Sequence, residues 1–385
     1  MQQQSNKHRS RWSWLALLLS LTMVAASCGD DSTEAGAGDG EGGGDGECET
    51  VDEVKLQLQW FAQAQFAGYY AAVDEGLYAA RCLDVEIIEG GVDIVPQQQL
   101  ASGAVDYAIS WVPKALVTRE SEGIDIVNVA QIFQRSGTLQ VSFADAGISG
   151  PEDFAGKKIG NWGFGNEFEL LAGARSAGLE PGSDFELVQQ NFDMVALIQG
   201  EIDAAQAMTY NEYAQVLETI NPDTGELYQP EDLTVVDWND VGTAMLQDAI
   251  WADGTQLGDE AYADQTTRFI AASIEGWMWC RDNADGCVDV VLNNGTTLGA
   301  SHQAWQLNEI NKLIWPSPGG AGVMDKALWD QTIDVSLSEG VLSAAPDDAA
   351  YSTDYSQAAL DLIGDADVTG DDWSPVTVTL NEGGE

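Results

Sequence analysis

Three short runs set planar rings beside amide and carboxylate groups. "LQWFAQAQF" supplies Trp60, Gln63 and Gln65, "GNWGFGNEF" supplies Trp162, Asn166 and Glu167, and "TYNEY" supplies Tyr210, Asn211 and Glu212. A tryptophan or tyrosine stacks on a flat ring and contributes about 0.5–1.5 kcal/mol beyond area burial. A glutamine or asparagine carries donor and acceptor on one amide, which suits the mixed edge of a heterocycle. Such sets recognise a molecule rather than remake it. The only histidines are His8 and His302, so no zinc-binding spacing exists.

Each of these residues has a plainer reading. Trp60 follows the first strand-like run and either faces a ligand or caps the core. Trp162 either stacks opposite it or packs under its own loop. The glycines and Asn166 stand ahead of a helix, whose first N–H groups favour an anion or an acceptor edge. Glu167 either accepts from an amine or ring N–H, or is a helix-start acid stabilised by the dipole. Tyr210 is a candidate ring wall, with Asn211 a hydrogen-bonding partner or a cap and Glu212 beside them. Ser110, Trp111 and Lys114 follow a third strand, and Gln131, Phe133 and Gln134 a fourth; part of this group is expected to line a cleft. Phe66 and Tyr70, and Trp305, Ile310 and Ile314 at helical spacing, are assigned to the core. His302 is expected to be a hydrogen-bonded structural histidine.

From Val54 the pattern alternates: "VKLQLQ" has period two, "QFAGYYAAVDEGLYAA" is helical, "LDVEIIEG" is a strand, "IVPQQQLASGA" a helix and "VDYAIS" a strand. Strands interleaved with helices imply parallel βαβ units, whose ligands gather at the carboxyl ends of the strands. A second such set starts after "GISGPEDFAGKK", and "QGEIDAAQAM" repeats the plan of "ASGAVDYAIS". The body is too long for one ordinary core. The fold expected is therefore α/β, two lobes each built on a mixed sheet flanked by helices. The later helices, including "DQTTRFIAASIEGWMWCRDN", return to the first lobe, so the chain crosses twice, near "LQVSFADAG" and "TAMLQDAIWA". Two crossing strands make a hinge, and a hinged cleft encloses a small molecule from both sides.

The N-terminus has basic Lys7, Arg9 and Arg11, then apolar "WSWLALLLSLTMVA", then small residues before Cys28. This is the layout of an export signal, too short for the roughly 18 apolar residues of a membrane span. "VAASC" resembles a bacterial lipobox, with Ala25 where leucine is usual, so Cys28 is the expected lipidation site and the body is expected outside the cell membrane. The glycine-rich acidic run after it reads as a flexible leash. The 15 Lys and Arg, three of them in that signal, stand against 63 Asp and Glu, a formal net charge of −48. That balance repels nucleic acid and favours a soluble monomer. Beyond Cys28 four cysteines remain in an exported chain, and three pairings are possible. Cys280 with Cys287 is favoured because "CRDNADGC" closes a short loop, and Cys48 with Cys82 follows, since each precedes a strand-like run.

Taken together, "LQWFAQAQFAGYYAA…GLY", "IVPQQQLASGAVDYAISW", "VNVAQIFQRSG", "FAGKKIGNWGFGNEFELLA", "AMTYNEYAQV" and "HQAWQLNEINKLIWPSP" resemble substrate-binding proteins of ABC importers in the thiamine pyrimidine synthase-like family. The resemblance implies the type II periplasmic-binding-protein fold and partnership with a permease and an ATPase. It also implies capture of a flat heterocycle, foremost a formylaminopyrimidine-type thiamine precursor, with riboflavin and then sulfonates or taurine as rivals. The family also holds eukaryotic enzymes that make the pyrimidine from pyridoxal phosphate and an active-site histidine. Their lysine and histidine, four residues apart, match Ser110 and Lys114, and their cysteine-rich run matches "VGTAMLQDAIWA", which has no cysteine. A binder without cofactor or catalysis is expected instead. The divisions expected are a signal over 1–27, a linker over 28–50, lobe one over 51–143, lobe two over 144–243, a return to lobe one over 244–345 and an acidic tail over 346–385. The part of it from "GDADVTGDDW" onward is expected to be solvated, with "VTVTL" a candidate edge strand.

Overall fold

The computed structural model describes residues 48–385; the export signal and Cys28 lie outside the described residues. Ten strands follow: β1 (Asp52–Gln57), β2 (Leu83–Ile88), β3 (Tyr107–Trp111), β4 (Ile126–Gln131), β5 (Thr138–Phe143), β6 (Lys158–Asn161), β7 (Glu186–Gln189), β8 (Ala205–Met208), β9 (Leu233–Asp237) and β10 (Asp248–Asp253). In the first lobe β1 pairs in parallel with β2 and β3, and β10 runs antiparallel between β3 and β4, giving the order β2-β1-β3-β10-β4. The second lobe holds β8-β5-β9 and the parallel pair β6-β7, joined where Ile159 bridges Ala204. Reading across that bridge gives β7-β6-β8-β5-β9. Both lobes are wound alike, and in each the fourth position is taken by a strand whose chain arrives from the other lobe. The repeated segments seen in the sequence are β3 and β8, third in each sheet.

The junction of β6 and β8 explains Gly160. Its N–H bonds Ala204 O at 2.7 Å, and an added Cβ there would overlap the Gln190 side chain. In the first lobe, helices Ala67–Asp74 and Glu260–Asp282 touch backbone to backbone through Gly68 and Gly276. A methyl on Gly276 would overlap the Gly68 carbonyl oxygen. Gly276→Ala is therefore expected to destabilise by about 1–3 kcal/mol, seen as a lower urea midpoint at unchanged slope. Beside this contact Tyr107 and Tyr78 stack on Phe269 at 4.3 and 5.4 Å. Phe66 and Tyr70 are buried in the same core. Disulfides join Cys48 to Cys82 and Cys280 to Cys287, the first tying the chain just ahead of β1 to the residue just ahead of β2.

The lobe limits differ from the expected ones at one point. β5 pairs with β8 and β9, so the first crossing falls at 132–137 and residues 138–143 belong to the second lobe. An alternating strand looks the same in either sheet, and only its partners decide. The second crossing, 243–247, lies against the first through Gln247, which is 1% exposed. Its Nε2 donates to Ser136 Oγ at 3.0 Å and Thr138 Oγ1 at 2.7 Å, while its Oε1 accepts from Gly137 N at 2.8 Å. One side chain thus stitches the hinge strands together.

The returning helices also do more than expected. Helix Ala300–Ile314 packs in the first core through Ile310 and Ile314, yet its Trp305 Nε1 donates to Thr209 O at 3.0 Å in the second lobe. His302, 1% exposed, meets Glu218 Oε1 at 2.7 Å and Asn211 Oδ1 at 3.0 Å; it is a structural histidine that spans the lobes. Helix Lys326–Ser338 runs between them on another side, where Arg175 pairs with Glu339. Nor is the tail simply solvated. Past the helix Asp354–Ile363, whose Ala359 is buried in the first core, Val376 N donates to Asn308 Oδ1, and Gly383 N reaches Glu218 O at 3.0 Å. The run "VTVTL" is no strand. Among the described residues no helix is long and apolar enough to cross a membrane.

Candidate functional site

A cavity of about 800 Å³ opens between the lobes at the carboxyl ends of β1, β3, β6 and β8. Its size falls in the range of small-molecule sites. Of the eleven residues singled out in the sequence, Trp60, Gln63, Gln65, Ser110, Trp111, Trp162, Asn166, Tyr210, Asn211 and Glu212 line it. Glu167 does not: its Oε2 accepts the Gly165 N–H at 3.0 Å, within its own loop. Its other carboxylate oxygen takes no hydrogen bond from the described residues, and its charge acts on Lys114 in the lining. Of the residues after the fourth strand, Gln131, Phe133 and Gln134 are buried in the core and do not line the cavity. Gln131 Nε2 instead bonds Phe133 O at 2.9 Å.

The aromatic walls face across the lobes. Trp60 from the first and Trp162 from the second are both in contact with the Phe192 ring, at 5.1 Å tilted and at 5.8 Å stacked. Phe192 thus links the two indoles into one continuous aromatic wall of the cavity. Trp162 is 3% exposed and its Nε1 has no hydrogen-bond partner among the described residues. Trp238 Nε1 and Trp277 Nε1, deep in the cores, are unpaired in the same way. The loop that carries Trp162 is tightly turned, with Gly163, Phe164 and Gly165 all at positive φ. Phe164 is strained there, since side chains other than glycine rarely adopt that conformation, and it stands 74% exposed at the rim.

Behind the first-lobe wall sits the residue that sequence reasoning missed. Asp248, the first residue of β10, is 2% exposed. Its Oδ1 accepts from Gln59 Nε2 at 2.5 Å and Trp111 Nε1 at 2.9 Å, and its Oδ2 from Gln65 Nε2 at 2.9 Å. Gln65 Oε1 in turn accepts from Gln63 Nε2 at 2.6 Å. Burial pushes the Asp248 carboxyl up to about 7, against the pull of these donors and of Lys114. The only signal in the sequence was an acid at the head of the apolar run "AIWA". Phe192 had no signal at all, being a lone aromatic in a polar loop.

Charge in the cavity is weighted toward acids. Glu212 accepts from Met208 N at 2.9 Å and from Asn211 Nδ2 at 2.9 Å, with its carboxyl raised by burial. Lys114 is the one cation in the lining. Its Nζ stands 4.5 Å over the Trp111 ring and donates across the cleft to Asn166 Oδ1 at 2.7 Å, and burial lowers it to about 8. Arg135, the other cation near the cleft, is turned to the carbonyls of Lys312, Leu313 and Pro316. Ser110 Oγ is taken by Gln97 Oε1 at 3.3 Å. Among the described residues no group of His, Cys, Asp and Glu is arranged to hold a metal.

Comparison with known proteins places this geometry. The chain is 25% identical over 254 residues to a formylaminopyrimidine-binding protein of Halalkalibacterium halodurans, covering 64% of this chain and 72% of that one. It is 23% identical over 310 residues to the riboflavin-binding protein RibY of Chloroflexus aurantiacus, covering 77% and 84%. Among solved structures, the periplasmic aliphatic sulphonate-binding protein SsuA of Escherichia coli superposes with a TM-score of 0.60 at 16% identity, covering 86% of this chain and 94% of that one. That likeness is one of fold, the two-lobe α/β arrangement with open mixed sheets. Residues 63–286 match the family described as "NMT1/THI5 like", and the chain belongs to that family.

Proposed function

We propose that this chain is the ligand-capturing component of an ABC importer, held outside the cell membrane by lipid on Cys28, and that it encloses a flat heterocycle of the formylaminopyrimidine type. The observation that carries the reading is a cavity between the lobes whose lining sets Trp60, Trp111, Trp162 and Tyr210 beside the amides of Gln59, Gln63 and Asn166. The named relatives support it, two of them binders of flat heterocycles. Capture needs no cofactor and no bond-making, only closure with higher affinity in the closed form. Ser110 and Lys114, at the positions of the synthase pair, are engaged with Gln97 and Asn166. The body works as a monomer and passes its ligand to a permease driven by an ATPase.

Riboflavin is the second reading, favoured by the volume of about 800 Å³, which has room for a fused flavin as well as for a single pyrimidine. A sulfonate is disfavoured, because it wants a cluster of cationic donors and the lining offers Lys114 alone among acids. The test is thermal melting of the purified chain with formylaminopyrimidine, hydroxymethylpyrimidine, thiamine, riboflavin and taurine. A ligand at 100 times its Kd stabilises by about 2.7 kcal/mol, so a clear upward shift with a pyrimidine is expected. A shift with riboflavin alone moves the proposal to the second reading, and a shift with taurine alone defeats both.

A further inference from the structure

We propose that the buried Asp248 carboxylate orients the glutamines of the first lobe so that the ligand turns an N–H donor edge toward the side-chain oxygens of Gln59 and Gln63. The inference rests on the reading that the cavity takes a flat heterocycle, and it adds which edge faces the first lobe. An ionised carboxylate only accepts, and Asp248 is surrounded by three donors: Gln59 Nε2, Gln65 Nε2 and Trp111 Nε1. Each amide must therefore present its nitrogen to Asp248.

The orientation then propagates. With Gln65 Nε2 committed, Gln65 Oε1 accepts from Gln63 Nε2, and the Gln63 oxygen is left over. With Gln59 Nε2 committed, the Gln59 oxygen is left over in the same way. Neither oxygen takes a hydrogen bond from the described residues, and both residues line the cavity. Trp111 has only one N–H, and Asp248 holds it. Two uncommitted amide oxygens on the first-lobe wall favour a ring that turns an amino group toward them. A site built for one pattern of donors and acceptors rejects its inverse, because the buried groups are left unpaired. Asp248 is thus a positioning residue for specificity, one layer behind the cavity.

The experiment is calorimetric titration of the purified chain at pH 8.5 with 4-amino-2-methylpyrimidine and with 2-methylpyrimidin-4-one, which share ring and methyl but exchange the amino edge for a carbonyl edge. The unmodified chain is expected to bind the amino ring at least tenfold more tightly. Asp248→Asn, whose amide can turn a glutamine around, is expected to bring the ratio within about threefold of one. Gln63→Met leaves Asp248 and its three donors in place and is expected to weaken the amino ring about tenfold while leaving the pyrimidinone unchanged. Equal affinity of the two rings for the unmodified chain, a preference for the pyrimidinone, or a tenfold preference surviving in Gln63→Met overturns the inference while leaving heterocycle capture standing. Binding of neither ring, with riboflavin or taurine bound instead, overturns the pyrimidine reading and this inference together.

Discussion

The melting temperature of the chain is expected to fall between pH 5 and pH 8, by on the order of 5 °C or more. Two buried carboxyls lie behind this. Burial raises Asp248 from 3.8 to about 7 and Glu169 from 4.5 to about 7, the latter despite the Met245 N–H on its oxygen. Their folded values stand above their unfolded ones, so the folded chain keeps protons that the unfolded chain has released. Their contribution to stability is complete below about pH 4 and is lost as pH rises to about 7. One pKa unit corresponds to about 1.36 kcal/mol, which makes the loss several kcal/mol in order of magnitude. Glu212 is raised by burial too and acts in the same direction.

Lys114 has the opposite sign and a different window. Its value falls from 10.5 to about 8, so its contribution is present above 10.5 and is already lost below 8. It leaves the slope between pH 5 and 7 untouched. Ionisation of the acid-rich surface also destabilises through self-repulsion, and the variants separate the two effects. Glu169→Gln keeps an acceptor for Met245 and removes the charge, so it is expected to flatten the curve and raise stability at pH 8. A flat profile in the unmodified chain, or a maximum at pH 8, contradicts this assignment.

Trp60→Ala is expected to cost about 2 kcal/mol or more of binding energy, the range of a central aromatic anchor, which is roughly thirtyfold in Kd. Trp60 is only partly buried, so its removal opens one wall without a large cavity in the core. Trp162→Phe makes the milder cut: an aromatic face stays in the lining. It is expected to weaken binding less than Trp60→Ala does. Calorimetry on both variants, with circular dichroism to verify the fold, decides the matter. Unchanged affinity in Trp60→Ala places the ligand elsewhere.

The parts of this molecule that were legible in the sequence are those encoded locally. Alternation at "VKLQLQ" and helical spacing at "QFAGYYAA" announce β1 and the helix after it, and a residue just past a strand end must sit at the carboxyl edge of the sheet. Trp60, Trp111, Trp162 and Tyr210 were found by that rule. What was hidden depends on partners distant in the chain. β5 alternates correctly but only pairing with β8 and β9 assigns its lobe. Asp248 lies 183 residues from Gln65, and nothing near it announces three waiting donors. Glu167 stays just outside the lining for a local reason, since a glutamate at a helix start can bond its own loop, and Gly165 offers the N–H. The tail reads as solvated by composition, yet it is held by single contacts such as Val376 to Asn308 that composition does not register.

The measurement that tests the central claim most directly is a titration of intrinsic tryptophan fluorescence in the purified chain with formylaminopyrimidine. Trp60, Trp111 and Trp162 all line the cavity, so a stacked heterocycle must quench them. Saturable quenching with one site per chain, greatly weakened in Trp60→Ala, is the predicted result. A signal that neither formylaminopyrimidine nor riboflavin changes, from a chain that is folded by circular dichroism, contradicts the account.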